Sequence, residues 1–250
     1  MCHEGPEHAA VENNGDFSER QIEVETDGAG IPVFIAQPAG DCKGRIIIIH
    51  DIFGANDFYH DLARRLASSG YTAYLPNLFV RAGDLSEQTI EAARMRGGKL
   101  SYPQAIKDIG AVIDAEDNGQ KWGCVGFCMG GTMVMHLASA EPRLDAGVIY
   151  YGFPANPTIT SNRPSEPMRE TSLVDMPLLG FWGDQDHGVG MHNVQQYESL
   201  LETAGKDIEF HIYPGRPHGF LTFDESNESY EASQDSWRRA MNFFGERLAG

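Results

Sequence analysis

The sequence is poor in basic residues. Among 250 residues, 19 lysines and arginines stand against 36 aspartates and glutamates, which gives a formal net charge of −17 at pH 7. Nucleic acids and anionic membranes bind basic protein surfaces, so this imbalance argues against a partner of either kind. No apolar run approaches the roughly 20 residues of a membrane-spanning helix, and residues 1–17 lack the apolar segment of a secretory signal. We therefore expect a cytoplasmic protein.

Cysteine is also scarce. The four cysteines, Cys2, Cys42, Cys124 and Cys128, do not form the spaced framework of a disulfide-rich domain. Cys124 and Cys128 lie four residues apart, but a strand followed by a turn directs their side chains differently. Free thiols in a reducing compartment are the simplest interpretation.

Apolar patterning predicts a single α/β domain. After a hairpin signature around residues 27–30, short apolar runs alternate with segments of helical periodicity. This alternation is typical of a mostly parallel central sheet with helices on both faces. The composition indicates a flexible leader over residues 1–18 and the domain over residues 19–250. The predicted strands cover 20–25, 31–36, 45–50, 71–75, 121–125, 144–150, 177–182 and 208–213. The predicted helices cover 56–69, 85–96, 103–115, 132–140, 193–203 and 230–248, with Gly97-Gly98 joining the second helix to the third.

One strand-to-helix turn, Gly126-Phe127-Cys128-Met129-Gly130, has the pattern of a nucleophile elbow. The nucleophile of such a turn has a strained backbone, and side chains two positions away would collide with the neighbouring strand and helix. The turn also brings the Cys128 sulfur to a helix N-terminus, where the helix dipole favours a thiolate. A glycine-rich turn with a buried, inert cysteine is the alternative interpretation.

A thiol nucleophile needs a base and a carboxylate that orients the base. In α/β-hydrolases the acid and then the base follow the nucleophile along the chain, each after a different strand. His218 follows the predicted strand 208–213 and is the candidate base. Two carboxylates, Asp184 and Asp186, follow the predicted strand 177–182. Their position in the chain does not decide between them.

An acyl-transfer site also needs donors for an oxyanion. The backbone N–H of Met129, directly after the candidate nucleophile, is one expected donor. The turn His50-Asp51-Ile52-Phe53-Gly54 follows the isoleucine-rich strand and is expected to supply the other through the Ile52 N–H. Asp51 is either a turn carboxylate or a group that faces Cys128. In the second case it would hold the thiol by a hydrogen bond, while its charge opposed thiolate formation.

Five segments together make the chain resemble the dienelactone hydrolase family of the α/β-hydrolase superfamily, from about residue 20 to the C-terminus. They are His50-Asp51-Ile52-Phe53-Gly54, Gly126-Phe127-Cys128-Met129-Gly130-Gly131, Tyr150-Tyr151-Gly152, Gly183-Asp184-Gln185-Asp186-His187 and Pro217-His218-Gly219-Phe220. By that resemblance Cys128 is the nucleophile and His218 the base. The family's acid is the Asp of a Gly-x-Gln-Asp segment, which selects Asp186. The resemblance also implies hydrolysis of a small cyclic ester without a metal or organic cofactor.

The chain departs from the family's pattern at two positions. Where the family usually has a glutamate thought to hold the resting thiol, this chain has the shorter Asp51. Where family members carry a substrate-binding arginine, four residues after the catalytic histidine, this chain has Thr222. The remaining candidates for contact with a substrate are Arg81, Arg94, Arg96 and Tyr150.

The sequence thus predicts a cysteine hydrolase of a small lactone or ester, acting through Cys128, His218 and Asp186 and a thioester acyl-enzyme. A general short-chain carboxylesterase with the same triad is the first alternative, favoured by the missing arginine at position 222. A non-hydrolytic small-ligand binding protein of the same fold is the second. A redox thiol resolved by Cys124 is a third. A monomer and a homodimer are both compatible with the sequence.

Overall fold

The computed structural model describes His3, residues 15–155 and residues 158–248. Within these residues, strands and helices alternate along the chain after an initial hairpin. The strands are β1 (Phe17–Thr26), β2 (Ala29–Pro38), β3 (Arg45–Ile49), β4 (Thr72–Pro76), β5 (Trp122–Phe127), β6 (Leu144–Tyr150), β7 (Leu178–Gly183) and β8 (Ile208–Tyr213). The α-helices are α1 (Asp57–Ser68), α2 (Ile90–Lys99), α3 (Tyr102–Glu116), α4 (Met129–Ala140), α5 (Met191–Thr203) and α6 (Tyr230–Leu248).

The strands form one sheet, in the spatial order β1-β2-β4-β3-β5-β6-β7-β8. Strands β3 to β8 are parallel, and the β1–β2 hairpin joins the sheet through antiparallel pairing of β2 with β4. Every residue of β3, β4, β5 and β7 is buried, because helices cover both faces of the sheet. The predicted α/β-hydrolase class, with its N-terminal hairpin and mostly parallel sheet, is confirmed.

Two glycines of β5 show how the helices cover the sheet. Gly123 lies against Phe244 of α6, and Gly126 lies against Gly130 of α4. Positions an odd number of residues apart on a strand face opposite sides of the sheet. The candidate nucleophile elbow and the C-terminal helix therefore lie on opposite faces of the same central strand.

Helix α2 differs from its prediction at both ends. It begins at Ile90 rather than at residue 85, because the Thr89 side chain caps it by accepting the Ala92 N–H. It continues through Gly97-Gly98 rather than ending before them. A Cβ on Gly97 would lie 3.2 Å from Ile52 Cγ2, so the glycine lets the helix pack closely against the turn after β3.

The N-terminal boundary also differs from its prediction. Strand β1 begins at the buried Phe17, two residues before the predicted start of the domain. His3 was expected to belong to a flexible leader, yet it is only 1% exposed because aromatic rings enclose it. The remainder of the predicted leader up to residue 14, including Cys2, lies outside the described residues.

The three described cysteines, Cys42, Cys124 and Cys128, are free thiols. Burial raises the pKa of the Cys124 thiol, which disfavours the thiolate that a resolving cysteine needs. This argues against the redox interpretation. None of the described helices combines the length and the apolarity that crossing a membrane requires.

Candidate active site

Cys128 lies at the turn between β5 and α4. Its φ of 54° and ψ of −113° fall outside the regions that non-glycine residues favour, and its N–H donates to the Tyr150 carbonyl at 3.0 Å. Among the described residues, no side chain caps the N-terminus of α4 by a hydrogen bond. The Cys128 side chain is 6% exposed and lines a cleft at the carboxyl ends of the strands.

The shape of the elbow depends on close contact between main chains. A Cβ on Gly126 would lie 2.1 Å from the Gly130 carbonyl oxygen, and a Cβ on Gly130 would lie 2.1 Å from the Ile49 carbonyl oxygen. Backbone atoms within regular elements cannot move aside as a flexible side chain can, so glycine is required at both positions. The first turn of α4 therefore lies directly against the end of β3.

This contact brings the two expected oxyanion donors together. Ile52 and Met129 both line the cleft beside Cys128, and their side chains meet at Gly97. Neither the Ile52 N–H nor the Met129 N–H donates a hydrogen bond within the described part of the chain. Two unused amide donors beside a thiol are what an oxyanion hole requires.

His50 and Arg96 hold the two peptides on either side of Ile52. His50 Nε2 accepts the Leu78 N–H at 3.2 Å, so Nδ1 carries the ring proton and donates to the Asp51 carbonyl at 2.8 Å. Arg96 Nη2 donates to the Ile52 carbonyl at 3.0 Å. Arg96 therefore holds the turn after β3, a role that its helical position in the sequence did not indicate.

The burial of His50 predicts a pH-dependent stability. Burial lowers the pKa of His50 to about 4, whereas the group titrates near 6.5 in the unfolded chain. Between these values the unfolded state binds more protons, so the free energy of unfolding should fall as the pH drops from 6.5 to 4. The expected loss is about 3 kcal/mol. Above pH 6.5 the stabilising contribution of the neutral His50 side chain is fully present. Urea unfolding of the wild type and of His50→Asn across this range measures it. The variant should have a lower free energy of unfolding than the wild type at pH 7, and that free energy should fall less as the pH drops to 4. The same pH dependence in the variant and the wild type would contradict the expectation.

His218 and Asp186 meet between the loops that follow β8 and β7. Asp186 Oδ2 lies 2.6 Å from His218 Nδ1, and Asp186 Oδ1 accepts the N–H groups of Gly188 and Val189 at 3.2 and 3.1 Å. Asp186 is 2% exposed. A carboxylate at Nδ1 fixes this nitrogen as a donor, so Nε2 is the ring nitrogen that can accept a proton.

Asp184, the other carboxylate of this segment, has a different function in the fold. Its Oδ1 accepts the Gly215 N–H at 2.7 Å and a Gln185 side-chain N–H at 3.1 Å. These bonds tie the loop after β7 to the loop after β8. Asp186 rather than Asp184 therefore carries the hydrogen bond to the imidazole.

The cleft has a volume of about 1270 Å³ and is lined by Cys128, Asp186 and His218 together with Ile52 and Met129. These groups come from four separate loops at the carboxyl ends of parallel strands, where sites of such sheets are built. Among the described residues, no group of three or more His, Cys, Asp or Glu side chains is placed to hold a metal ion.

Two arginines line the same cleft, Arg94 on α2 and Arg163 in the loop between β6 and β7. Arg163 Nη2 donates to the Gly97 carbonyl at 2.9 Å, and its guanidinium lies 4.9 Å from the centroid of the Tyr102 ring. Burial raises the pKa of Tyr102 to about 12, so its ring meets the guanidinium as a neutral phenol. Neither arginine forms a salt bridge with a described carboxylate. Arg163 was not predicted, because its irregular loop has no periodicity that indicates where a side chain points.

Two other candidate positions lie away from the cleft. Arg81 forms an ion pair with Asp108 of α3 and donates to the Thr26 carbonyl at 2.6 Å, beside a separate cavity of about 60 Å³. Thr222 is buried, and its N–H donates to Ser233 Oγ at 3.0 Å. Neither residue is positioned to contact a molecule bound beside Cys128.

Tyr150 and Asp51 are buried behind the cleft rather than lining it. The Tyr150 hydroxyl is directed to Ser236 Oγ of α6 at 3.4 Å, and burial raises its pKa. Asp51 Oδ1 accepts the Phe53 N–H and Asp51 Oδ2 accepts the His3 N–H, each at 2.8 Å. Both Asp51 oxygens thus accept backbone hydrogen bonds, and these bonds stabilise the turn after β3 that contains Ile52.

Comparison with known proteins identifies relatives along nearly the whole chain. The model of the dienelactone hydrolase family matches residues 31–248. The chain is 29% identical over 258 residues to a carboxymethylenebutenolidase of Rhodococcus opacus, an alignment that covers 99% of this chain and 98% of the relative. The crystal structure of a putative dienelactone hydrolase from Klebsiella pneumoniae subsp. pneumoniae is similar, with a TM-score of 0.86 and 26% identity. That similarity covers 92% of this chain and 99% of the other.

Proposed function

Because the chain belongs to the dienelactone hydrolase family and is an ester hydrolase, we propose that it hydrolyses a small lactone or ester bearing a carboxylate, through a thioester on Cys128. The observation that carries this proposal is the 2.6 Å contact between Asp186 Oδ2 and His218 Nδ1, on the cleft that Cys128 also lines. An oriented imidazole beside a thiol at a helix N-terminus is the arrangement that acyl transfer to sulfur requires.

The first half-reaction forms the thioester. His218 Nε2 takes the thiol proton while Cys128 Sγ attacks the carbonyl carbon, and Asp186 stabilises the imidazolium that results. The Ile52 and Met129 amides donate to the oxyanion of the tetrahedral intermediate, a contact worth roughly 10²–10³-fold in rate for each donor. The intermediate then collapses, and the leaving oxygen takes its proton from His218.

The second half-reaction regenerates the thiol. His218 removes a proton from water, which attacks the thioester carbonyl, and the same amides stabilise the second oxyanion. The C–S bond breaks, the acid leaves, and the sulfur recovers a proton from His218. With a lactone the leaving hydroxyl stays attached to the acyl group, so one ring-opened hydroxy acid is released.

The charges around the cleft support a carboxylate on the substrate. A chain with a formal net charge of −17 repels anions, and it lacks the family's arginine at position 222. Arg163 nevertheless lies on the cleft wall with its guanidinium over the Tyr102 ring, and its buried Nε has no hydrogen-bond partner among the described residues. A planar guanidinium matches the two oxygens of a carboxylate. We assign to Arg163 the contact with the substrate carboxylate, with Arg94 as the second cationic group of the cleft.

The variant Arg163→Gln tests this assignment. A lost charge-assisted hydrogen bond should raise KM for an anionic dienelactone by roughly 10- to 100-fold and leave KM for a neutral short-chain aryl ester nearly unchanged. The matched control is Arg169→Gln, because Arg169 lies in the same loop but is 70% exposed and pairs with Glu166. Steady-state kinetics with both substrates measures the effect. An equal rise for the neutral ester, or an equal effect in the control, would exclude the carboxylate contact.

A general short-chain carboxylesterase is the second candidate function, and the buried Thr222 in place of a substrate-binding arginine favours it. Steady-state turnover of a dienelactone and of a neutral aryl ester by the wild type separates the two. A strong preference for the lactone supports the first proposal. Comparable or faster hydrolysis of the ester supports the second and retains the same triad.

A further inference from the structure

His3 is built into the interior although it is the third residue of the chain. It is 1% exposed, and its ring stacks on Phe58 with 3.5 Å between centroids and 7° between planes. Its carbonyl accepts a hydrogen bond from Asn56 Nδ2 at 2.6 Å. These contacts fix both the ring and the main chain of His3, so its remaining polar contacts have defined targets.

The first target is the turn that carries the Ile52 oxyanion donor. The His3 N–H donates to Asp51 Oδ2, while the Phe53 N–H donates to Asp51 Oδ1, each at 2.8 Å. The Asp51 carboxylate is thus held between His3 and its own turn, one residue before Ile52. A shift of His3 would be passed to this turn through a single hydrogen bond.

The second target is Tyr151, which supports the candidate base. His3 Nε2 lies 2.7 Å from the Tyr151 hydroxyl oxygen, and the Tyr151 N–H donates to the Phe181 carbonyl at 2.8 Å. Tyr151 has a φ of 41°, in the left-handed region that non-glycine residues seldom occupy. Its ring packs edge-on against His218, 5.0 Å between centroids. His3 therefore holds the far end of the ring against which the catalytic imidazole rests.

The third contact is with the elbow itself. The ring of Phe127, the residue before Cys128, lies edge-on to His3 at 6.3 Å between centroids. His3 thus contacts a neighbour of the oxyanion donor, a neighbour of the nucleophile and the ring that supports the base.

We infer that His3 is a positioning residue for hydrolysis: from behind the nucleophile, it holds the Ile52 turn and the Tyr151 ring in one arrangement. The inference rests on the proposed function, since it takes Cys128 and His218 as the acting groups. A residue that acts on geometry alone should affect the chemical step more than the binding of substrate, because it does not line the cleft.

The variant His3→Phe separates positioning from packing. Phenylalanine keeps a ring on Phe58 but removes the polar contact with the Tyr151 hydroxyl, and Tyr151→Phe removes the same contact from the other side. Both variants should lower kcat by about tenfold with KM within about twofold of the wild type, because small displacements of catalytic groups slow the chemical step. His3→Gln, whose amide can reach the position of Nε2, should recover most of the loss.

The control is Ser236→Ala, which removes the hydroxyl 3.4 Å from the Tyr150 hydroxyl at a position in α6 that does not line the cleft. It should lower the unfolding midpoint and leave kcat unchanged. A wild-type kcat in both His3→Phe and Tyr151→Phe, or an equal loss of kcat in Ser236→Ala, would overturn the inference. If His3→Phe does not fold, Tyr151→Phe and His3→Gln still decide. Activity retained in Cys128→Ala would refute the proposed function instead, so the two failures are distinguishable.

Discussion

Replacing Cys128 with alanine should abolish hydrolysis of lactones and esters, with a fall in kcat of roughly 10⁵- to 10⁶-fold. The sulfur is the atom that bonds to the acyl carbon, and no other described group on the cleft is both nucleophilic and adjacent to the amides of Ile52 and Met129. The fold should persist, because the substitution removes one atom at the edge of a cleft and leaves Gly126 and Gly130 intact. Steady-state kinetics and thermal unfolding of the purified variant measure both effects.

Cys124→Ala is the matched control for this experiment. Cys124 lies in β5, four residues before Cys128, and is fully buried. Its loss should cost stability by leaving a small cavity but should not change kcat. Rapid alkylation of the wild type below the pKa of about 8.5 of a free thiol, lost in Cys128→Ala but kept in Cys124→Ala, would identify the activated sulfur. Substantial turnover by Cys128→Ala would refute the thioester mechanism.

Asp186→Asn should lower kcat/KM at neutral pH by roughly 10³- to 10⁴-fold, because it changes the tautomer of His218. The N–H groups of Gly188 and Val189 both donate to Asp186 Oδ1 and would bind the asparagine carbonyl in the same place. The asparagine NH₂ would then face His218 Nδ1 and force that nitrogen to accept. The ring proton would move to Nε2, the nitrogen that must be free to take the thiol proton.

Asp184→Asn provides the matched comparison, two residues away in the same loop. Asp184 Oδ1 accepts the Gly215 N–H, a hydrogen bond that an asparagine carbonyl can also accept. We expect nearly wild-type kinetics, with at most a small loss of stability. Kinetics of the two variants under identical conditions measures the difference. A larger loss of kcat/KM in Asp184→Asn than in Asp186→Asn would indicate that Asp184, not Asp186, orients His218.

Much of the fold could be predicted from the sequence because its signals are local. Strands β6 and β8 and helix α6 have the predicted bounds, since apolar runs and helical periodicity act over a few residues. Helix α2 was predicted less well. Its start depends on one capping side chain, and its last turn contains Gly97, which packs closely against Ile52 of the turn after β3.

The candidate site divides in the same way. The elbow pattern, the order of acid and base along the chain and the turn after β3 are sequence features, because parallel strands bring their carboxyl ends to one edge of the sheet. The residues alone left Asp184 and Asp186 as equal candidates, and only the resemblance to a family separated them. In the structure the difference is a matter of direction, since one carboxylate faces His218 and the other faces Gly215.

The sequence by itself determined the α/β class, the hydrolase family and the segments from which a cysteine-dependent site would be built. Only the tertiary structure decided which side chains surround that site. Arg163 lines the cleft from an irregular loop, and Arg96 donates to the Ile52 carbonyl in the turn after β3. His3, near the N-terminal end of the chain, lies beside the Tyr151 hydroxyl in the interior. The physical reason is that short-range patterns encode strands, helices and turns. The direction of a side chain from a loop or terminus depends instead on packing between residues far apart in the chain.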